Sequence, residues 1–334
     1  MKITLIKSRQ LRGGPSSFRN IFEKGIIHRG GEIIWYSPIK RNKLIFLING
    51  TRRFLELFIF KIIGSTIVQR LGPIPWEHKV YKTNIFKYLL AEIRKYIVVI
   101  IRLYIATDFI YQSKYTEKIW QDNFPLKKKK PSIIIYNGAN NIFHNNQKNN
   151  QVFCNELVSC EGEITNFLST YIFANNNYYK LNVFGQVSEK ILNNTKIINN
   201  KFVKFYGYTD KKFVSKVYKE KNFIFLSLEL YPACPNSILE SLAAGIPVIG
   251  FKTGSSEEIV TPDVGVIIDY DITKLISLNP TDFDKIMPLI NNAVEKIKKN
   301  YHLYSNNAML RYKKLYTSDI MLDNYNNFLK SKSR

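Results

Sequence analysis

Short apolar runs alternate with amphipathic segments along most of the chain. In the first half, the runs predict strands over 3–7, 32–37, 43–48, 65–71, 108–113 and 132–137, and helices over 15–28, 52–63, 84–105 and 115–122. Strands that are apolar throughout and alternate with helices are typical of a parallel sheet covered on both faces. The first half therefore predicts a doubly wound α/β unit.

A polar segment separates this half from a second series of the same kind. Residues 140–150 read NNIFHNNQKNN, are rich in asparagine and lack periodicity, which indicates an exposed linker. Beyond it the pattern predicts strands over 151–157, 179–185, 201–207, 222–228, 247–251 and 265–269, helices over 164–175, 209–219 and 236–244, and a helical tail over 282–332.

These patterns together predict an α/β fold. We expect two Rossmann-like, doubly wound domains that face a cleft, with C-terminal helices packing back. The predicted boundaries are 1–143 for an N-terminal domain, 144–304 for a C-terminal domain, and 305–334 for a helix returning toward the first domain.

Charge is distributed unevenly between the two halves. The chain carries a formal net charge of +23, and residues 1–150 hold 27 Lys and Arg against 8 Asp and Glu, a net charge of +19. A field of this size favours a polyanion or an anionic membrane surface as a partner, and a solvated basic face is the structural alternative. Nucleic acid is not expected, because the chain lacks a recognition motif for it.

Several patterns limit the class of protein further. The apolar stretches at 54–60 and 96–106 are broken by charge well before the ~18 residues of a spanning helix, so we predict no transmembrane helix. The N-terminal apolar run indicates a strand rather than a signal peptide. No CxxC motif occurs and no DxD motif lies between the predicted strands, so we expect a reducing cytoplasm and no metal cofactor. The cysteines and histidines are scattered at Cys154, Cys160, Cys234, His28, His78, His144 and His302.

Two segments have the features of an anion site. Gly13 and Gly14 lie between the first strand and a helix, where they would let a phosphate approach the backbone, although an ordinary turn fits equally well. The second segment, 231–260, reads YPACPNSILESLAAGIPVIGFKTGSSEEIV. It predicts a helix with Asn236 as N-cap and Gly245 after its last turn. Glu240 lies on the same face as Asn236, as a ribose-binding carboxylate or as an ordinary surface residue.

The second segment resembles the donor-binding region of GT-B glycosyltransferases, in particular the retaining glycosyltransferase family 4. Weaker similarity extends to the Gly13–Gly14 loop, to DFIYQSKY at 108–115 and to IIIYNGANNIF at 133–143. The resemblance implies that Glu240 binds the nucleotide ribose and that Glu258 matches the glutamate after the glycine-rich turn. It also implies that the diphosphate binds the helix start, at Pro235, Asn236, Ser237, Ile238 and Leu239.

The chain departs from the family pattern at three places. Pro232 occupies the position of the family's first glutamate, so Glu229 is a candidate replacement. Residues 157–167 are acidic where the family has a basic diphosphate clamp, which leaves Arg70 and Lys252 as candidate cations. The family's histidine would fall near Arg70, so the catalytic candidates are Arg70 and, further along the chain, His78.

The resemblance implies a retaining hexosyltransferase that uses a nucleotide-diphosphate sugar and no metal. It implies that the domain over 1–143 binds the acceptor and that the domain over 144–304 binds the nucleotide sugar. The expected acceptor is a saccharide or a polyprenyl-pyrophosphate-linked saccharide of bacterial surface polysaccharide, such as lipopolysaccharide O-antigen or capsule. The expected location is cytoplasmic, peripheral on the inner face of the plasma membrane. Two alternatives remain open: a nucleotide-sugar epimerase of the same fold, and a catalytically degenerate binding protein.

Overall fold

The computed structural model describes residues 1–6, 14–37, 43–80, 84–143, 152–174, 178–189, 193–194, 199–277 and 280–333. The chain forms two compact units. Unit 1 comprises Met1–Asn137 and Ser318–Arg334, and unit 2 comprises Gly138–Thr317. The sequence analysis placed the first boundary six residues later, after position 143, and separated the terminal segment from residue 305 onward.

Each unit contains a six-stranded parallel sheet. In unit 1 the strands β1–β6 are Lys2–Leu5, Glu32–Trp35, Leu44–Ile48, Thr66–Leu71, Asp108–Tyr111 and Ser132–Ile134. In unit 2 the strands β7–β12 are Glu156–Cys160, Lys180–Phe184, Val203–Gly207, Ile224–Leu226, Val248–Phe251 and Gly265–Ile268. The spatial orders are β2-β1-β3-β4-β5-β6 and β12-β11-β10-β7-β8-β9. The predicted α/β class with doubly wound sheets is confirmed.

Helices connect the strands and cover the sheets. In the described part of unit 1 the helices are α1 (Gly14–His28), α2 (Phe54–Ile62), α3 (Glu77–Val80), α4 (Ile85–Ile100) and α5 (Lys114–Asn123), and a π-helical turn, Ile101–Ile105, extends α4. The helices described in unit 2 are α6 (Glu163–Ala174), α7 (Lys211–Glu220), α8 (Asn236–Ala243), α9 (Ser256–Ile259), α10 (Pro280–Lys299) and α11 (Tyr301–Leu315). The terminal helix α12 (Ser318–Lys332) belongs to unit 1.

The core of unit 1 has a separate layer on each face of its sheet, because successive side chains of a strand point to opposite faces. On one face Phe22 of α1 and Tyr325 of α12 pack against Phe46 of β3. On the other face Leu57 of α2 and Val99 of α4 pack in a second cluster. The C-terminal helix is therefore an integral part of the first unit.

One predicted strand was displaced along the chain. The expected strand over 151–157 is found at Glu156–Cys160, and Asn155 before it has a left-handed backbone with φ 57°. Because an extended strand cannot pass through that conformation, the pairing begins one residue later. The polar residue Ser159 enters the strand because its hydroxyl can donate to a buried amide oxygen, that of Asn166, 3.4 Å away.

Candidate functional site

The carboxyl ends of β7 and β10 mark the position where a ligand is expected in unit 2. These strands are neighbours in the sheet, and the winding direction reverses between them. Open α/β sheets bind ligands outside the carboxyl ends of the strands at such a reversal. The loop after β7 carries Glu161, and the loop after β10 carries Ser227, Glu229 and the segment that leads into α8.

Helix α8 begins at this edge of the sheet. Pro235 is its N-cap, with extended backbone angles (φ −72°, ψ 118°), and Asn236 is the first helical residue. The prediction of Asn236 as N-cap was therefore wrong by one position, because the extended ψ angle at Pro235 makes Asn236 the first residue with helical backbone angles. The first amide groups of a helix lack partners inside it, which makes the start of α8, including Ser237 and Ile238, suitable for an anion.

Glu240 lies inside the protein, one turn beyond the helix start. Its side chain is about one-tenth exposed and forms an ion pair with Lys211 of α7, whose own side chain is half exposed. Burial raises the pKa of Glu240, and the positive charge of Lys211 opposes that rise. A buried carboxylate near a helix start with one accessible cation is an arrangement that binds hydroxyl groups beside a phosphate.

Sequence reasoning missed Lys211. The residue follows Asp210, whose carboxylate accepts a hydrogen bond from the amide of Phe213 at 2.7 Å and so caps α7. The capping pattern is visible in the sequence, but the pairing of Lys211 with a residue 29 positions later requires the three-dimensional structure.

Glu161 is the first residue of the loop after β7, and it contacts the loop after β10. The hydroxyl of Ser227 donates to one of its carboxylate oxygens, and the amide of Leu228 donates to the other at 3.1 Å. Burial, followed by repulsion from Glu229, raises the pKa of Glu161 to about 8. The raised pKa disfavours the charged form of Glu161, which lowers the negative charge at a place where a phosphate is expected.

The shifted pKa of Glu161 predicts a specific pH dependence of stability. Its folded pKa lies above the ordinary value, so its contribution to stability is complete below about pH 4.5 and is lost as the pH rises through about 8. We expect Glu161→Gln to weaken this loss between pH 5 and 9 in chemical unfolding experiments. The exposed Glu163, two residues away, provides the control: Glu163→Gln should follow the wild-type profile, and equal profiles for all three proteins would contradict the assignment.

The loop between β10 and α8 is tightly held by the loop after β11. Tyr231 has φ 50°, its amide donates to Thr253 Oγ1 at 3.0 Å, and the amide of Ser255 donates to the carbonyl of Pro232 at 2.9 Å. Gly254 has φ 57°, and a Cβ atom there would lie 2.4 Å from the backbone nitrogen of Pro232. Backbone contacts therefore fix the conformation of the chain at Pro232, the position that corresponds to the first glutamate of the family pattern.

This contact predicts a strong effect of substituting Gly254. Gly254→Ala would combine a left-handed alanine with a clash against backbone atoms, and we expect a loss of about 2 kcal/mol or more in the free energy of unfolding. Gly162→Ala is the matched control, because a Cβ atom at Gly162 meets nothing within 4 Å. Denaturant titration measures both, and equal stabilities of the two variants would contradict the packing argument.

The other predicted donor-site residues have identifiable neighbours. Glu258 lies in the four-residue helix α9, and its carbonyl oxygen accepts from Arg311 at 2.7 Å. Lys252, the candidate cation, is exposed and lies 3.6 Å from Asp269. Gly14 is the first residue of α1, whereas Gly13 lies outside the described residues.

The two predicted catalytic residues lie in unit 1 and contact different partners. Arg70 of β4 is buried, donates to the hydroxyl of Tyr325 at 2.9 Å and to Asn137 at 2.7 Å, and its guanidinium lies over the ring of Phe18. His78 of α3 is buried against α4, with its Nε2 atom 2.5 Å from Glu92. Both residues contact neighbouring elements of unit 1, so a catalytic role for either stays a prediction.

The two doubly wound parallel sheets and their flanking helices define the fold as that of GT-B glycosyltransferase structures. Residues 138–277, which contain most of unit 2, match the family model described as Glycosyl transferases group 1. The comparison with curated proteins gave no match.

Solved structures from several organisms share the architecture over nearly the whole chain. The sucrose-phosphate synthase of Thermosynechococcus elongatus is 13% identical with a TM-score of 0.69, and the match covers 99% of this chain and 98% of that one. Anabaena Alr3699/HepE in complex with UDP is 14% identical with a TM-score of 0.67, over 99% and 100% of the chains. A glycosyltransferase from Rickettsia africae ESF-5 is 11% identical with a TM-score of 0.63, over 99% and 98%. At these identities the similarity shows the fold alone.

Proposed function

We propose that the protein is a glycosyltransferase that moves a sugar from a nucleoside-diphosphate sugar to a saccharide or lipid-linked saccharide. The observation that carries the proposal is the buried Glu240 near the start of α8, paired with Lys211, within the segment that matches the group 1 family model. Structures of Anabaena HepE with UDP and with UDP-glucose support a uridine nucleotide as the first donor to test.

The proposed donor site has one part for the ribose and one part for the diphosphate. The carboxylate of Glu240 accepts hydrogen bonds from the ribose hydroxyls, and the amides at the start of α8 bind the diphosphate. Lys211 is half exposed and long, so it can turn from Glu240 toward the phosphates when a donor enters. The helix start and this cation would then offset the charge of the departing nucleotide without a metal ion.

The acidic loop after β7 also contributes to the proposed donor site. Uncharged Glu161 can donate a hydrogen bond to a phosphate or sugar oxygen, since a protonated carboxyl is a donor as well as an acceptor. Glu229 lies close enough to Glu161 to raise its pKa, and it is our candidate for the carboxylate that contacts the donor sugar in place of a residue at position 232. Retention of the anomeric configuration is part of this proposal.

The proposed acceptor follows from the charge of the N-terminal half. A net charge of +19 over residues 1–150 suits a pyrophosphate-linked saccharide presented at an anionic membrane. We therefore propose assembly of a bacterial surface polysaccharide, such as O-antigen or capsule, at the cytoplasmic face of the plasma membrane.

A nucleotide screen tests the donor site. The purified protein is heated with UDP, GDP, ADP, CMP or their sugar conjugates, and a ligand at 100 times its dissociation constant should stabilise the folded state by about 2.7 kcal/mol. We expect one nucleoside diphosphate to raise the melting temperature selectively. Absence of any shift, confirmed by calorimetric titration, would contradict the proposed site.

Product analysis then distinguishes transfer from epimerisation. The protein is incubated with the selected nucleotide sugar, with and without a polyprenyl-pyrophosphate saccharide, and the products are separated by mass spectrometry. Transfer adds one sugar mass to the acceptor and releases the nucleoside diphosphate. Conversion of the donor to an isomer without an acceptor would instead identify an epimerase.

A further inference from the structure

Unit 1 exposes an unusual amount of apolar surface on two helices. More than half of the large apolar side chains that are exposed in the described part of the chain lie between residues 55 and 104. In α2 and α4 they are Leu55, Phe58, Ile59, Ile62, Ile85, Phe86, Leu89, Leu90, Ile93, Tyr96 and Ile100, which we call the apolar surface. Large patches of exposed apolar side chains are typical of sites that bind another protein or a membrane.

Helix α4 turns the charged side chains of Glu92 and Lys95 inward and leaves several apolar side chains exposed. Lys95 is only 4% exposed and pairs with Glu92, which also contacts His78, so three ionisable side chains lie on the inner side. Phe86 is 73% exposed and Ile93 55% exposed on the outer side. A helix facing water normally has the opposite pattern, so the outer side of α4 suits an apolar medium.

Helix α2 also exposes more of its apolar side chains than it buries. It is apolar on nearly every side, but of its residues only Leu57 and Phe60 are buried. The outward residues recur at a spacing of three to four, as Leu55, Phe58, Ile59 and Ile62 do, which places them on one side of the helix. The side chain of Lys61 connects α2 to the end of the α4 segment, because its ammonium donates to the carbonyl of Tyr104.

Basic residues border the apolar surface. Lys87 and Arg94 are exposed on α4, two turns apart, and Arg52 precedes α2. The exposed run 127–129 is held near the end of α4 because the ammonium of Lys130 donates to the carbonyls of Arg102, Leu103 and Ala106 at 3.1, 3.1 and 2.7 Å. Apolar side chains bordered by Lys and Arg are the pattern of a helix that lies in the interface of an anionic membrane.

We propose that α2 and α4 dock unit 1 on the surface of an anionic lipid bilayer, with their outer apolar side chains among the acyl chains and the bordering cations at the headgroups. None of the helices within the described ranges is both long and apolar enough to cross a bilayer, and the proposed contact is peripheral. The argument uses residues of unit 1 only, and its tests are independent of the proposed donor site in unit 2.

Vesicle binding tests the proposal directly. The full-length protein is sedimented with vesicles of phosphatidylcholine alone and with vesicles that contain 30% phosphatidylglycerol, the latter at two salt concentrations. We expect binding to the anionic vesicles that weakens as salt screens the charges. No binding to either vesicle would overturn the proposal.

Three variants assign the binding to these residues. Phe86→Ser with Leu90→Ser should weaken vesicle binding at least tenfold, and replacement of Lys127, Lys128 and Lys129 by Ser should weaken it mainly on anionic vesicles. Leu303→Ser with Leu310→Ser is the matched control, because these leucines are comparably exposed but lie on α11 of unit 2. Equal losses for the control and the Phe86 variant would overturn the assignment.

Two further measurements test whether a second copy of the chain covers the apolar surface and whether the Phe86 variant is misfolded. Sedimentation velocity without lipid should show a monomer, and a dimer that the Phe86 and Leu90 substitutions abolish would assign the surface to a second copy of the chain instead. A nucleotide that stabilises the wild type should stabilise the Phe86 variant equally. If the Phe86 variant loses vesicle binding but keeps the nucleotide response, the result supports membrane docking through the apolar surface. If the wild type itself shows no nucleotide response, only the proposed donor site is contradicted.

Discussion

Tyr325→Ala is expected to lower the free energy of unfolding of unit 1 by about 3–5 kcal/mol, the usual cost of truncating a buried aromatic side chain. The ring is fully buried on α12 and contacts Phe18, Phe22 and Phe46, with ring centroids 5.3–5.8 Å apart. Its hydroxyl also accepts a hydrogen bond from buried Arg70. Truncation would leave a cavity between α12 and the sheet and remove a partner of the guanidinium.

Two substitutions on the same helix separate these contributions. Tyr325→Phe keeps the ring and removes only the hydroxyl, so we expect a loss of about 1–3 kcal/mol from the unpaired donor of Arg70. Asn324→Ala changes an exposed neighbour and should stay within about 0.5 kcal/mol of the wild type. Urea unfolding followed by circular dichroism measures all three, and a Tyr325→Ala protein as stable as Asn324→Ala would refute the packing described.

Glu240→Gln is expected to weaken binding of the selected nucleoside diphosphate about tenfold to a hundredfold. The substitution removes the charge that ribose hydroxyls would meet, and hydrogen bonds to charged groups contribute about 1.5–3 kcal/mol. Stability should not fall with it, because burial already raises the pKa of Glu240 and so disfavours its charged form. Isothermal titration and denaturant unfolding measure the two effects.

Glu220→Gln supplies the comparison for this variant. Glu220 is an exposed residue of α7 whose carboxylate lies 3.9 Å from Lys216, and it resembles Glu240 only in chemistry and in pairing with a lysine of that helix. Nucleotide affinity of the Glu220 variant should match that of the wild type. If Glu240→Gln also kept full affinity, the nucleotide would have to bind elsewhere, and the proposed donor site would be abandoned.

Hydrophobic periodicity predicted most of the fold because parallel strands buried on both faces leave continuous apolar runs. The strands of unit 1 and the helix over 236–243 begin and end close to where the pattern put them. The displaced strand β7 shows the limit: Phe153 is buried without being in a strand, and the polar residue Ser159 is buried inside one. Burial and strand pairing coincide only on average, so a boundary can shift by several residues.

The site was less predictable because it depends on pairs that are distant in sequence. Glu240 and the start of α8 could be selected from local spacing, but Lys211 becomes relevant only through its contact with Glu240. The acidic loop after β7 looked unsuitable for phosphate until the structure placed Glu161 where burial and Glu229 raise its pKa and disfavour its charged form. Likewise, nothing in the sequence showed that Glu92 and Lys95 of α4 face inward.

The place of α12 has a consequence for how the chain is made. Because unit 1 is formed by residues at both ends of the sequence, unit 2 is an insertion within it. Nascent chains acquire structure as they emerge from the ribosome. Unit 2 can therefore fold during synthesis, whereas the sheet of unit 1 must wait, with the face that Tyr325 and Leu322 later cover open to water, until α12 has been translated. The part of unit 1 that is translated before unit 2 is thus completed only after it.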